Sequence, residues 1–123
     1  MSKVSILLVE DDNVLAKIAE TRLQSLGYDM CGRATTAAEA MEMVVNNKPD
    51  LVLMDITLKG NVDGIDAANM IKNGFFIPVV YCTSHSDDAV LERAKATHPD
   101  GFITKPYTDT NLRVAIELAL KKK

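Results

Sequence analysis

The chain has 123 residues, 47% apolar and 25% charged, the composition of an average globular domain and the length of one, since single cores typically run ~100–150 residues. Its 14 basic and 17 acidic residues give a formal net charge of −3, which disfavours a nucleic-acid binder, usually basic at this size. No apolar run approaches the ~20 residues of a membrane span, no signal-peptide core follows Met1, and Cys31 and Cys82 are too few and too far apart for a disulfide framework or a zinc site, so a single cytoplasmic domain over residues 1–123 is expected.

Val4–Val9 is a β-rich run that ends abruptly in Glu10-Asp11-Asp12. From Asp12 to Leu26 the apolar residues Leu15, Ile18, Ala19, Leu23 and Leu26 recur at a helical period, and Gly27 stops it. Met30–Arg33 predicts a short strand. Thr36-Ala37-Ala38-Glu39 is a capping box, opening a helix to about Asn47 with Ala40, Met41, Val44 and Val45 inward. Pro49 forbids its continuation. Leu51–Met54 is continuously apolar, as a strand covered on both faces should be.

Asp55 to Gly64 reads as a loop from its glycines and Asn61. Ile65–Lys72 predicts a short helix and Pro78–Cys82 a second fully apolar strand, ending in Thr83-Ser84. Ser86-Asp87-Asp88 caps a helix to about Thr97, its acids well placed against the dipole. His98-Pro99 is a turn. Gly101–Thr104 is a last strand, followed by Lys105-Pro106. Thr108 or Asp109 opens a helix through Leu120, and Lys121–Lys123 is its end or the start of a linker. The last helix shows no exposed apolar stripe separable from its core-facing one, so a monomer is expected. Both cysteines, and most of the six methionines, read as core.

Five strands alternating with five helices imply a parallel sheet with helices on both faces, since parallel strands need a crossover. The chain is too short for an eight-unit barrel at ~250 residues. What remains is an open, doubly wound (βα)5 sheet in three layers. Every strand except the second ends on a polar group: Glu10-Asp11-Asp12, Asp55, Thr83-Ser84 and Lys105. Ligands of such sheets sit beyond the carboxyl ends of the strands, so these groups converge on one edge. Singly, each has a plain reading as a helix cap or a solvated loop residue. Together, clustered carboxylates repel one another unless a cation compensates. A magnesium ion held by carboxylates, carbonyls and water is the usual solution, and Lys105 adds a second positive charge. Such a pocket favours a phosphoryl ligand, with Thr83 and backbone amides on its oxygens and Asp55 as nucleophile.

The runs Ile6–Asp12, Leu51–Asp55, Val79–Ser84 and Phe102–Tyr107, in this order and spacing, resemble the receiver (response-regulatory) domain of two-component signalling, of the chemotaxis-regulator kind. The resemblance covers the whole chain and implies a flavodoxin-like three-layer sandwich with a parallel five-stranded sheet of order 2-1-3-4-5. It implies Asp55 as phosphoacceptor, Asp11 as direct magnesium ligand, Glu10 as its outer companion, and the main-chain carbonyl of Thr57 as a further ligand. Asp12 is a second candidate ligand or the cap of the first helix. Thr83 resembles the switch hydroxyl, Lys105 the lysine that pairs with the phosphoryl group, and Pro106 the proline that often follows in a cis bond. Ser84 joins Thr83 and Lys105 as a candidate phosphate-binding residue. Phe102 sits at the switch aromatic. Thr57 and His85 occupy the variable positions that tune phosphoryl lifetime in the family. Leu58–Gly64 departs from the family by lacking a Met-Pro pair and being about one residue longer.

The resemblance implies a phosphorelay switch rather than an enzyme, self-phosphorylating at most from small donors and dephosphorylating slowly. Its partners would be a sensor histidine kinase or phosphotransfer protein upstream. Downstream, an output domain or protein would read the surface of the fourth helix, fifth strand and fifth helix, without direct contact to nucleic acid or membrane. The domain would stand alone or be part of a longer protein. A haloacid-dehalogenase-like phosphatase is disfavoured because Thr57 stands where its second acid is needed. A flavodoxin-like flavin module is disfavoured because Glu10-Asp11-Asp12 would repel the flavin phosphate. An inert pseudo-receiver is disfavoured by the intact Asp, Thr and Lys set.

Overall fold

The computed structural model describes residues 3–56, 64–83 and 88–121, with the backbone alone at Thr83, Asp88 and Val90. In chain order the elements are β1 (Ser5–Val9), α1 (Asn13–Ser25), β2 (Asp29–Ala34), α2 (Ala37–Asn47), β3 (Leu51–Asp55), α3 (Gly64–Phe75), β4 (Val79–Thr83), α4 (Asp88–Ala96), β5 (Gly101–Thr104) and α5 (Asp109–Lys121). All strand pairings are parallel and the sheet order is β2-β1-β3-β4-β5, as the resemblance implied. Thr57, Ser84 and His85 lie outside the described residues, as do Leu58–Asp63, Ser86 and Asp87.

The continuous apolar strands sort their side chains by parity. Ile6, Leu8, Leu51, Leu53, Val80 and Cys82 pack against α1 and α5. Leu7, Val9, Val52, Met54, Val79 and Tyr81 pack against α2, α3 and Ala94 of α4. Every residue of β3 is buried, because it is central and covered on both faces.

Caps set the element ends. Thr36 accepts the Glu39 amide at 3.2 Å, while Glu39 reaches back to the Thr35 amide at 3.1 Å, one residue earlier than in an ideal box. Thr108 and Asn111 form the equivalent reciprocal pair at α5, at 3.0 and 3.1 Å. After α1, Gly27 at φ +94° lets the Tyr28 amide reach the Leu23 carbonyl and its own amide the Gln24 carbonyl, both at 3.0 Å, which is a Schellman closure. Two connections repeat one device. Lys48-Pro49-Asp50 and His98-Pro99-Asp100 each follow a left-handed residue with an Asp that pairs twice with a neighbouring strand. Asp50 exchanges bonds with Ser5 at 2.8 Å in both directions, and Asp100 does so with Val79 at 3.0 Å.

Several sequence expectations need correction. On α1 the buried residues are Ala16, Ala19 and Leu23, whereas Leu15 and Ile18 are 41% and 46% exposed. Val45 is exposed rather than inward, and Cys31 is only half-buried. Among the described methionines Met54 is fully buried and Met30, Met41 and Met43 pack against the core as expected, while Met70 is 44% exposed. α3 runs to Phe75 instead of Lys72, through Asn73-Gly74. On α5 an outward apolar pair, Val114 and Leu118, stands apart from the inward Leu112, Ile116 and Ala119.

Candidate functional site

Glu10, Asp11 and Asp55 meet beyond the carboxyl ends of β1 and β3, adjacent strands in the sheet. One carboxylate oxygen from each lies within 4.8 Å of the others. Lys105, just past β5, donates to Glu10 Oε1 at 2.8 Å. Glu10, Asp11, Asp55 and Lys105, far apart in sequence, therefore lie together at one edge of the sheet. Thr83 ends β4 on the same edge, its backbone in register with Thr104.

Glu10 is nearly buried, and each of its polar atoms is held. Its amide donates to the Ala34 carbonyl (3.0 Å), its carbonyl accepts Arg33 Nε (2.9 Å), and Oε2 accepts the Asp12 amide (3.2 Å). Burial works against its charge, but the hydrogen bonds from Lys105 and the Asp12 amide, with the Lys105 charge, leave its carboxyl below the ordinary carboxylate range. Burial likewise opposes the Lys105 charge, and its hydrogen bond to Glu10 with the Asp55 charge outweighs it, raising its pKa.

Asp12 is the N-cap of α1. Its Oδ1 accepts the Leu15 amide at 2.9 Å, capping α1, and it stands outside the three-acid group. Without magnesium, Asp12→Ala should therefore lose about 1 kcal/mol of stability. Asp11→Ala should be neutral or stabilising, since it removes one of several like charges. A pair of thermal melts checks this, and the reverse ranking would overturn the assignment.

Three carboxylates gathered against the single Lys105 ammonium in contact with them make an electron-rich site that favours a cation. Their hard oxygen donors fit magnesium. Lys105-Pro106 is a cis bond. Beyond it, Arg22 of α1 holds the Tyr107 carbonyl (2.9 Å) and Asp109 (3.2 Å), and lies 5.5 Å over the Tyr107 ring. Between these elements a cavity of about 430 Å³ opens beside Asp55 and Lys105, lined by Leu15, Ile18, Cys82, Pro106 and Tyr107 among others. Burial pushes the Cys82 thiol up to about 11, so it behaves as a small apolar group.

Phe102 is half-buried and meets Tyr81 edge-on, with ring centroids 6.2 Å apart at 72°. The Tyr81 hydroxyl pairs with Thr97 Oγ1 at 2.8 Å, and Thr97 donates onward to the Ala94 carbonyl at 2.7 Å. β4 is thus tied to the end of α4 and stacked on the β5 aromatic. Sequence reasoning missed Tyr81 and Thr97, Arg33, and the tight seat of Gly64 against Asp55. Of these only Gly64, a glycine at a helix start, left any signal.

The family model described as response regulator receiver domain matches residues 6–117. Among curated proteins, the chain is similar to the transcriptional regulatory protein PdtaR of Mycobacterium tuberculosis, 34% identical over 117 residues, 95% of this chain and 57% of that protein. It is also similar to the transcriptional regulatory protein YvrH of Bacillus subtilis, 31% identical over 122 residues, 99% of this chain and 51% of that protein. The chain spans about half the length of these curated relatives. In structure it resembles the signal receiver domain of a modulated diguanylate cyclase from Desulfovibrio desulfuricans G20, with TM-score 0.93, 34% identity, and 98% and 96% of the two chains covered. It also resembles the N-terminal domain of a response regulator/sensory box/GGDEF protein from Carboxydothermus hydrogenoformans, with TM-score 0.85, 35% identity, and 96% and 94% covered. Among the described residues, no helix is long and apolar enough to cross a membrane.

Proposed function

The chain belongs to the response regulator receiver domain family, and from that premise we propose that it is a phosphorylation-dependent switch whose acceptor is Asp55. The observation that carries this reading is the three-acid cluster with Lys105 beside it. An Asp55 carboxylate oxygen attacks the phosphorus of a phosphohistidine on a sensor histidine kinase or phosphotransfer protein. The new P–O bond forms as the P–N bond breaks, and the imidazole departs with its electron pair. Asp11, Asp55, Glu10 and the Thr57 carbonyl would hold magnesium, which supplies positive charge to the phosphoryl oxygens. Lys105, freed from Glu10, pairs with one phosphoryl oxygen, and Thr83 and Ser84 take others. Leu15 and Ile18, exposed at the mouth of the cavity beside Asp55, supply apolar surface on which the donor protein seats.

The signal leaves by a shift between two states that the phosphoryl group biases. Thr83 is drawn to the phosphoryl group, and Phe102, already stacked on Tyr81, turns inward. The α4-β5-α5 surface, with Val114 and Leu118 exposed on it, changes for an output domain or partner protein. We read all 123 residues as one such domain. A transcriptional output is consistent with the names of the curated relatives.

Acetyl phosphate should add one phosphoryl group per chain with magnesium and none after chelation, as read by intact mass. Beryllofluoride should then shift amide resonances from Thr83 through Phe102 into Asn111–Glu117. Metal-independent uptake, or shifts confined to the acid cluster and its loops, would overturn the reading.

A further inference from the structure

We infer that Arg33 is a positioning residue for the metal site, holding the Glu10–Asp11 peptide and so aiming Asp11; this rests on the reading of Glu10, Asp11 and Asp55 as a magnesium site. Three of the four bonds to Glu10 follow from its surroundings. Its amide continues the β1–β2 ladder past Val9 and Ala34, Oε1 carries the Lys105 ion pair, and Oε2 receives the Asp12 amide in the turn into α1. The fourth, from Arg33 Nε to the carbonyl oxygen at 2.9 Å, belongs to no ladder and no cap.

Peptide planarity gives that bond its consequence. The Glu10 carbonyl and the Asp11 amide share one rigid plane, so anchoring the oxygen fixes the direction in which the chain enters Asp11. A second guanidinium nitrogen, NH1, donates to Asn13 Oδ1 at 2.8 Å. Asn13 is the first residue of α1, so the fork spans the turn and encloses Asp11 and Asp12 between its two anchors. The third nitrogen is buried without a hydrogen-bond partner among the described residues. A buried unpaired donor is unfavourable, so the guanidinium sits here for what its other two nitrogens hold. A planar fork suits two fixed acceptors; a lysine ammonium on a flexible stem does not reproduce it.

Charge and geometry predict opposite signs for the loss of Arg33. Its positive charge stands near a cluster that takes a cation, so removing the charge alone should tighten magnesium binding. Releasing the Glu10–Asp11 peptide should weaken it. Magnesium titration by calorimetry on wild type, R33A, R33K and D11A at one ionic strength separates them. R33A should bind magnesium about tenfold more weakly, the scale seen when the outer partner of a metal ligand is lost. R33K, which keeps the charge and loses the fork, should be weakened by a similar factor. In acetyl phosphate assays the half-saturating magnesium concentration should rise by the same factor, with a smaller change in the rate at saturation. Unchanged or tighter binding in R33A would overturn the inference, even if its melting temperature falls, and should R33A fold poorly, unchanged binding in R33K would overturn it. Wild type that binds no magnesium, or D11A that binds it as wild type does, would instead overturn the underlying metal-site reading.

Discussion

Asp55→Asn should take up no phosphoryl group from acetyl phosphate, yet melt at or above the wild-type temperature without magnesium. The substitution keeps shape and removes the charge that makes the oxygen a nucleophile. It also removes one of three carboxylates whose oxygens crowd within 4.8 Å. At such separations repulsion between like charges near a protein surface is on the order of 1 kcal/mol or more, so the metal-free protein should gain stability as it loses chemistry. Glu10 provides a pH control. Its carboxyl is held below the ordinary range, so its contribution is present at neutral pH and lost as pH falls through its depressed pKa. The Asp55→Asn gain should fade over the same acid range as Glu10 discharges. Phosphoryl uptake by Asp55→Asn equal to wild type would move the acceptor to Glu10 or Asp11. A large loss of metal-free stability would mean that Asp55 is held by bonds that outweigh the repulsion.

The features legible in the sequence are those carried by side-chain pattern. The apolar runs Leu51–Met54 and Pro78–Cys82 announce strands covered on both faces, and the polar residues that end them announce the site, because sheet geometry brings strand ends together whatever their separation in sequence. Pattern fails where backbone atoms decide. Glu10-Asp11-Asp12 is three equivalent acids in sequence, and only the path of the chain into α1 makes Asp12 the cap and turns Glu10 inward onto Lys105. Arg33 escaped notice because its partner is a carbonyl, which every residue carries.

Periodicity also cannot tell a core stripe from an exposed one. Leu15 and Ile18 recur at the same helical spacing as Ala19 and Leu23, yet they are exposed at the cavity beside Asp55 while the latter pair is buried in the core. The helix expected over Ile65–Lys72 continues through Asn73-Gly74 to Phe75, with Lys72 anchored to Asp100 at 3.6 Å and to the His98 carbonyl. It closes only when Phe76 enters the left-handed region at φ +57°.

Gly64→Ala should be the most damaging single-methyl change near the site. A Cβ at Gly64 would lie 2.1 Å from the Asp55 carbonyl oxygen, 2.8 Å from the Ile56 carbonyl oxygen and 3.0 Å from Ile56 Cα. All three are backbone atoms, so no rotamer change relieves the contact. Either α3 moves away, breaking the 3.1 Å bond from the Gly64 amide to the Ile56 carbonyl and uncovering the buried Ile65, or the end of β3 moves and carries Asp55 out of register with Glu10 and Asp11. Overpacking of this severity costs about 3 kcal/mol or more, a fall in melting temperature on the order of 10 °C for a domain of this size. Phosphoryl uptake should fall with it, because the displaced atoms belong to Asp55, the proposed acceptor. Gly74→Ala is the internal control. It lies in the same helix with nothing within 4 Å of its Cβ, and replacing a helical glycine by alanine should stabilise the protein by ~0.5–1 kcal/mol while leaving uptake unchanged. Opposite shifts of the two melting temperatures are expected. A Gly64→Ala protein that melts and accepts phosphoryl like wild type would mean that α3 yields freely and that the contact with Asp55 constrains nothing.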